Sequence, residues 1–336
     1  MSYNTPLVSI TLSTYNIEQY IAGSLDCLIN QTYKNTEIIC IDDGSTDNTL
    51  KILKEYATKD KRIKVVAKPK NEGLAVARNL SLKLAKGKYI IFLDGDDLFD
   101  LTMVEKAVKK AEAEKADMVI WDYVVFYNEK EIESLKKQES VLLNIHPNDK
   151  KSLLKLPAFT WVKLLNLKKL RDLNIHFPDG LTRQDIPVHW QLITSIESIA
   201  LLPKKLSYYR QQKDATTAKT DSRLFDLAYV MDITKKYLDK NNLYPSYKEV
   251  FLEQQLNLLA GMYDKVSKEY KNQVTKIIKL RLLEDQKKYI NSNKTLRWQA
   301  RLFYKSLSGN KVAEFKLSLW YLIRFFYRKT KVFNVY

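Results

Sequence analysis

Tyr89-Ile90-Ile91-Phe92-Leu93-Asp94-Gly95-Asp96-Asp97 is a run of apolar residues that ends abruptly in three carboxylates. Such a run reads as a strand buried in a parallel sheet, and the carboxyl edge of such a sheet is where open α/β folds bind ligands. Like charges crowded there repel each other, so the segment is expected to meet a cation. Asp94 and Asp96 offer hard oxygen ligands suited to Mg²⁺ or Mn²⁺, and an ion so held can in turn grip a diphosphate. The alternative is a solvated acidic turn, with Asp96 or Asp97 capping the helix expected from Leu101 to Glu114.

The upstream sequence decides between them. Leu7-Val8-Ser9-Ile10-Thr11-Leu12, Thr36-Glu37-Ile38-Ile39-Cys40-Ile41 and Ile63-Lys64-Val65-Val66-Ala67 are short β-branched runs separated by helix-length amphipathic segments. That alternation predicts βαβ units and a parallel sheet. The second run also ends in carboxylates, Asp42-Asp43, followed by Gly44-Ser45-Thr46-Asp47. Two acidic strand ends in one sheet face one crevice. A carboxylate there either caps the next helix or accepts a hydrogen bond from a nucleobase N–H or a ribose hydroxyl.

Taken in order, Thr14-Tyr15-Asn16, Asn30-Gln31-Thr32-Tyr33, Ile41-Asp42-Asp43-Gly44-Ser45-Thr46-Asp47, Asn71-Glu72-Gly73-Leu74-Ala75-Val76-Ala77-Arg78-Asn79 and Phe92-Leu93-Asp94-Gly95-Asp96-Asp97 resemble the family-two glycosyltransferases. The resemblance covers roughly the first 125 residues. It implies an α/β, Rossmann-like nucleotide-diphospho-sugar transferase fold of the GT-A type, with a central, mostly parallel sheet. It also implies a nucleotide-sugar site formed by Thr14, Tyr15, Asn16, Asp42, Asp43, Asn71, Gly73, Arg78, Asp94, Gly95 and Arg210, with Mn²⁺ or Mg²⁺ held by Asp94 and Asp96. Further along, Leu181-Thr182-Arg183-Gln184-Asp185-Ile186-Pro187 is similar to the family's acidic pair at a helix start, whose second member is the catalytic base. Here Gln184 replaces the first acid, and Asp185 keeps the essential carboxylate as the expected N-cap. Phe159-Thr160-Trp161-Val162-Lys163-Leu164 is similar to the segment before the acceptor loop, so Trp161, Lys163 and Gln184 are expected on the acceptor side. Trp161 either stacks on a sugar or belongs to the core. His189 reads as structural. Leu206-Ser207-Tyr208-Tyr209-Arg210-Gln211-Gln212 reads as a strand in which Arg210 is the diphosphate contact, with Gln211 and Gln212 where relatives carry a metal-binding histidine.

Composition fits an enzyme with an attachment. The chain has 336 residues, 45% of them hydrophobic, and two cysteines, Cys27 and Cys40, in apolar patterns that argue against a disulfide framework and for a reducing cytoplasm. Met1-Ser2-Tyr3-Asn4-Thr5-Pro6 leads straight into the first strand, leaving no room for a signal peptide, and no apolar stretch is long enough to span a bilayer. The net charge of +17 is concentrated at one end: residues 287–336 hold twelve Lys or Arg against the single acid Glu314. A cleft lined by aspartates excludes nucleic acid as the partner of that charge.

Residues 1–220 are therefore expected to form the catalytic domain, with 1–125 binding the nucleotide-sugar and 126–220 forming the acceptor side. Residues 221–336 are expected to be an all-α extension, with loops at Asn241-Asn242 and at Asn291-Ser292-Asn293. In its tail, 294–336, Lys294, Arg297, Arg301 and Lys305 share a helix face opposite Leu296, Ala300, Phe303 and Leu307. Trp320, Tyr321, Phe325, Phe326 and Tyr327 follow, with Arg324 and Arg328 among them, a pattern suited to an anionic membrane surface. The expected activity is inverting transfer from a UDP-sugar to a glycan or glycolipid of a surface polymer, by a peripheral protein at the inner face of the cytoplasmic membrane. A non-catalytic nucleotide-sugar scaffold and a nucleotidylyltransferase are the rival readings, and a homo-oligomer stays open.

Overall fold

The computed structural model describes residues 5–211, 219–292 and 295–320, and the chain divides into two compact units, Met1–Lys219 and Thr220–Tyr336. In the first, β1 (Val8–Thr14), β2 (Thr36–Asp42), β3 (Ile63–Ala67) and β4 (Tyr89–Asp94) are joined by α1 (Ile21–Ile29), α2 (Thr49–Lys59) and α3 (Leu74–Leu84). The four strands pair in parallel in the order β3-β2-β1-β4. Every residue of β1 and β2 is buried. Both faces of this part of the sheet are therefore covered, which is why the strands read as continuous apolar runs rather than alternating ones. Ile10, Leu12, Ile38, Cys40, Ile91 and Leu93 share one core with Leu25 and Leu28 of α1.

Register positions the site. Thr14 pairs with Asp42, and Ser13 pairs with Asp94. Three strands that start far apart in the sequence thus end on one line, and their last polar residues share one sheet edge.

Beyond β4 the chain departs from the expected helix cap. Leu98–Phe99 form a short strand, β5, antiparallel to β8 (Ile199–Arg210), and α4 (Met103–Glu114) begins only after Thr102. Two residues are too few to show periodicity, and only the long-range pairing makes them a strand. β6 (Met118–Phe126) runs parallel to β8 with a register shift between Trp121 and Tyr123, and β7 (Lys163–Asn166) is inserted antiparallel between β4 and β6. The sheet order is β3-β2-β1-β4-β7-β6-β8-β5. Short helices α5 (Ile132–Lys136) and α6 (Lys150–Lys155) lie between β6 and β7, α7 (Leu167–Asp172) follows β7, and α8 (Asp185–Ser195) precedes β8.

The second unit contains α9 (Asp226–Lys240), α10 (Tyr244–Lys265), α11 (Lys271–Lys279), α12 (Glu284–Ser292), α13 (Trp298–Leu307) and the helical residues 311–320. The loop expected from Asn291 does not open there. Burial of Tyr289 and Ile290 holds the last turn of α12 through Ser292.

The tail helix also differs from its expected form. It starts at Trp298, and Leu296, Ala300 and Phe303 are packed within the unit at 3%, 4% and 3% exposure. Phe303 stacks at a tilt on Tyr263 of α10, and the Tyr304 hydroxyl donates to the Leu256 carbonyl at 2.6 Å. That apolar stripe is covered by protein and is not open to a membrane. Lys294 and the aromatic and basic residues from Tyr321 onward lie outside the described residues.

Gly44 follows β2 with φ +74°, and a Cβ there would stand 2.5 Å from the Lys70 carbonyl carbon. Left-handed strain and a backbone collision together are expected to make Gly44→Ala about 2–4 kcal/mol less stable. Denaturant unfolding at matched m-values checks this, and a midpoint equal to that of the parent would refute the packing described.

Candidate active site

The residues expected on the nucleotide side divide into two groups. Asp42, at the end of β2, accepts the Ser45 N–H through Oδ2 at 3.1 Å, while its buried Oδ1 has no hydrogen-bond partner among the described residues. A buried carboxylate oxygen without a donor is costly, and the strand edge is where a ligand donor can supply the missing bond. Asp43 differs, because the protein already occupies both its oxygens. Oδ1 takes Lys68 Nζ and the Glu72 N–H (3.1 Å), and Oδ2 takes the Gly73 N–H at 2.7 Å. Asp43 thus fastens the Lys68–Gly73 loop over Gly44, and Gly73, at φ +94°, starts α3 there.

The first strand end completes this rim. Thr14 is buried, with its hydroxyl on the Ile41 carbonyl, and Asn16 accepts the Thr46 N–H at 2.8 Å. Tyr15 is 45% exposed beside them, and Asn71 is also exposed. Gly95 is required by space, since a Cβ would lie 2.8 Å from Thr14 Cγ2 and 2.6 Å from Ile17 Cδ1.

Arg210 braces the acidic turn from β8. Its Nε donates to the Asp96 carbonyl, its backbone N–H donates to Asp97 Oδ1, each at 2.9 Å, and Nη2 pairs with Glu129 at 3.0 Å. The guanidinium lies 5.1 Å from the Tyr20 ring centroid and 4.8 Å from that of Phe126. Asp97, 1% exposed, has its pKa raised well above the ordinary value, first by burial and then by Asp96 and Asp94. Among the described residues no three His, Cys, Asp or Glu side chains cluster closely enough to hold a metal by themselves. Residues 212–218, with Gln212, lie outside the described residues, and Gln211 ends on the Phe126 carbonyl.

The centre of the site is a shared cation. Arg78, on α3 and only 1% exposed, donates Nη2 to Asp94 Oδ1 at 2.9 Å and Nη1 to Asp185 Oδ1. Burial opposes its charge, but the two carboxylates hold the pKa above the ordinary arginine value. Asp185 occupies the first position of α8 rather than capping it, with Gln184 before it and Pro187 after. It still faces the positive end of the helix dipole. Its side chain keeps 19% of its surface, and its pKa is raised, chiefly by burial against the opposing pull of Arg78. Sequence reading found each member of this pair of bridges without finding that they touch. Asn79, next on α3, was also missed as a support. It exchanges hydrogen bonds with the Phe177 backbone at 2.8 and 2.9 Å and so fastens the loop before α8.

On the acceptor side, Trp161 lies in the core at 3% exposure, stacked on Phe159 at 4.6 Å and flanked by Tyr123 and Tyr209. Lys163 is 1% exposed and donates to the Phe159 carbonyl, and burial pulls its pKa down to about 7. Gln184 is 3% exposed, and its Nε2 makes no hydrogen bond among the described residues. His189, one turn beyond Asp185, is buried, and burial lowers its pKa to about 3, so the ring is neutral at ordinary pH. Lys163 and His189 border a cavity of about 580 Å³ walled by Val124, Leu135, Val141 and Leu142.

A strand-edge rim with an acceptor unmet among the described residues, an Asp-x-Asp turn and a largely buried carboxylate at a helix start agree with the comparison to known proteins. The model of glycosyl transferase family 2 matches residues 9–173. Those residues are a family 2 glycosyltransferase domain. The chain is 29% identical over 250 residues to glycosyltransferase GlyG of Streptococcus pneumoniae, spanning 70% of this chain and 79% of GlyG. It is 42% identical over 125 residues to an Escherichia coli protein, the UDP-Glc:alpha-D-GlcNAc-diphosphoundecaprenol beta-1,3-glucosyltransferase WfaP, spanning 37% of this chain and 48% of WfaP. The crystal structure of S. aureus TarS residues 1–349 with UDP-GlcNAc superposes with a TM-score of 0.73 over 91% of this chain and 88% of that one, at 21% identity. The fold is thus of the GT-A type, with helices following the mixed, mostly parallel sheet.

Arg78→Gln removes the cation that separates Asp94 from Asp185. Loss of one partner from a buried ion pair is expected to cost about 3–5 kcal/mol in unfolding free energy. Because Arg78 lowers the pKa of Asp185, its loss should also shift the acid limb of the kcat/KM–pH profile to higher pH. An unmoved acid limb in a folded variant would show that Asp185 is not the titrating group.

Proposed function

We propose that this glycosyltransferase moves a sugar, with inversion at the anomeric carbon, from a UDP-sugar to a hydroxyl of a growing, lipid-linked surface glycan. The observation that carries the reading is the single guanidinium shared by Asp94 and Asp185, which brings a metal-ligand carboxylate and a basic carboxylate into one site. Asp42 Oδ1, buried and unpaired among the described residues, suits the imide N–H of uracil. The substrates named for WfaP and the UDP-GlcNAc held by TarS support the donor class and, for WfaP, a diphosphoundecaprenol-linked acceptor. Such an acceptor would keep the enzyme peripheral at the inner face of the cytoplasmic membrane.

The positions of these groups support a single displacement. Asp185 accepts the proton of the acceptor hydroxyl as that oxygen attacks the anomeric carbon from the face opposite the diphosphate. The new C–O bond forms as the bond to UDP breaks, and its electron pair leaves on the β-phosphate oxygen. The transition state is oxocarbenium-like. The raised pKa of Asp185 suits a base working closer to neutral pH than an ordinary carboxylate. Arg78 keeps that carboxylate oriented, and Arg210 stiffens the turn carrying Asp96. Asp94 and Asp96 would offer hard oxygen donors to Mn²⁺ or Mg²⁺, and the ion would supply charge neutralisation of the departing diphosphate.

A non-catalytic nucleotide-sugar binder needs Asp42 but not Asp185, so two variants separate the readings. Asp42→Ala is expected to weaken UDP binding by about 1–3 kcal/mol through loss of its buried acceptor. Titration calorimetry with equal affinities would reject the uridine assignment. Asp185→Asn should abolish transfer while UDP binding persists, and chelation by EDTA should abolish transfer by the parent. Release of nucleoside diphosphate from a UDP-sugar panel, with the anomeric coupling of the product, reads both. Retained configuration, or transfer by Asp185→Asn, would overturn the mechanism.

A further inference from the structure

Among its described residues the second unit carries an apolar stripe that packing leaves open. In the helical residues 311–320, Ala313 and Leu317 are buried at 3% and 7% exposure. Val312, Phe315 and Leu319 follow each other at +3 and +4 on another side of the helix and keep 65%, 69% and 45% of their surface. Trp298 is 52% exposed, and its ring meets Trp320 edge-on with centroids 5.6 Å apart, which sets it at the end of that stripe. Singly scattered surface apolar residues need no explanation, but a contiguous group of this size does.

The surroundings of the stripe say what covers it. Residues 296–320 contain Arg297, Arg301, Lys305, Lys311 and Lys316 and one acid, Glu314. A second copy docking by two-fold symmetry would bring the same patch against itself, cation against cation. An anionic bilayer brings the opposite charge together with an apolar interior. Among the described residues no helix is long and apolar enough to cross a membrane, so the fit is to its surface.

We infer that Val312, Phe315, Leu319 and Trp298 form a membrane-docking face, seated at the boundary of headgroups and acyl chains, with the exposed Arg297, Lys311 and Lys316 on lipid phosphates. The face differs from the one that sequence periodicity selects: the 296/300/303 stripe holds the unit together, and the next helix turns outward. The inference rests on the reading of a lipid-linked acceptor, but it is tested apart from that chemistry.

The full chain is mixed with vesicles of phosphatidylcholine alone or with 30% phosphatidylglycerol, about a third anionic as in a charged leaflet, and sedimented. Binding is expected to the anionic vesicles only and to fall as salt rises. Phe315→Asp with Leu319→Asp, both exposed and therefore tolerated by the fold, should reduce the bound fraction at least tenfold at equal lipid, with UDP affinity unchanged. Lys311→Gln with Lys316→Gln should weaken binding at low salt and flatten its salt dependence. The inference fails if the parent ignores anionic vesicles at low salt, or if the double aspartate variant sediments like the parent. It also fails if that variant instead turns a dimer into a monomer by light scattering, since a second copy would then be the occupant. Loss of transfer without loss of vesicle binding would count against the proposed reaction and leave the docking face standing.

Discussion

Arg78 is a charged side chain with 1% of its surface exposed, tolerable there only because two carboxylates from different parts of the chain reach it. Asp94 comes from the end of β4 and Asp185 from the start of α8, separated in sequence by three strands, β5 to β7, and the helices among them. A buried guanidinium without both partners would be an uncompensated charge, and either carboxylate without it would face the other across a low-dielectric gap. The position of α8 relative to the sheet edge is therefore fixed by charge balance as well as by packing. The rest of the site follows from this. Asn79, the next residue on α3, hydrogen-bonds the Phe177 backbone, and Phe177 lies under Arg78 with its ring centroid 5.5 Å from the guanidinium carbon.

The parts of the fold legible in the sequence were those governed by local period. β1, β2 and β4 are buried on both faces, β3 lies half-buried at the sheet edge, and helices separate all four, so each shows as a β-branched run with its own punctuation. The edge residues were legible for the same reason, because a strand that ends in aspartate ends at the carboxyl edge whatever lies beyond. The GT-A assignment and the family membership of residues 9–173 rest on these elements.

What escaped was decided by long-range contact. β5 exists only because β8 pairs with it, and Asp97 reads as a helix cap until the Arg210 N–H is seen on its carboxylate. The Arg78–Asp185 bridge joins residues whose spacing carries no period at all. In the C-terminal unit α13 begins only at Trp298 and buries Ala300 and Phe303, and the amphipathic pattern of the sequence does not say whether protein or lipid covers that apolar side. The Tyr304 hydroxyl on Leu256 and the Phe303 ring on Tyr263 decide it for α13.

Asp43 and Asp42 are neighbours with opposite fates, one bonded through both oxygens inside the protein and one left with an acceptor unmet among the described residues. Because Asp43 already holds Lys68, Glu72 and Gly73, the conformational entropy of that loop is given up when the chain folds. On the proposed reading, a nucleotide arriving on this side would meet a finished surface. Its affinity would not be diminished by ordering the rim, a cost that binding loops ordinarily carry. The heat-capacity change of binding there would then report only the apolar surface covered by the base, with no contribution from a loop folding around it.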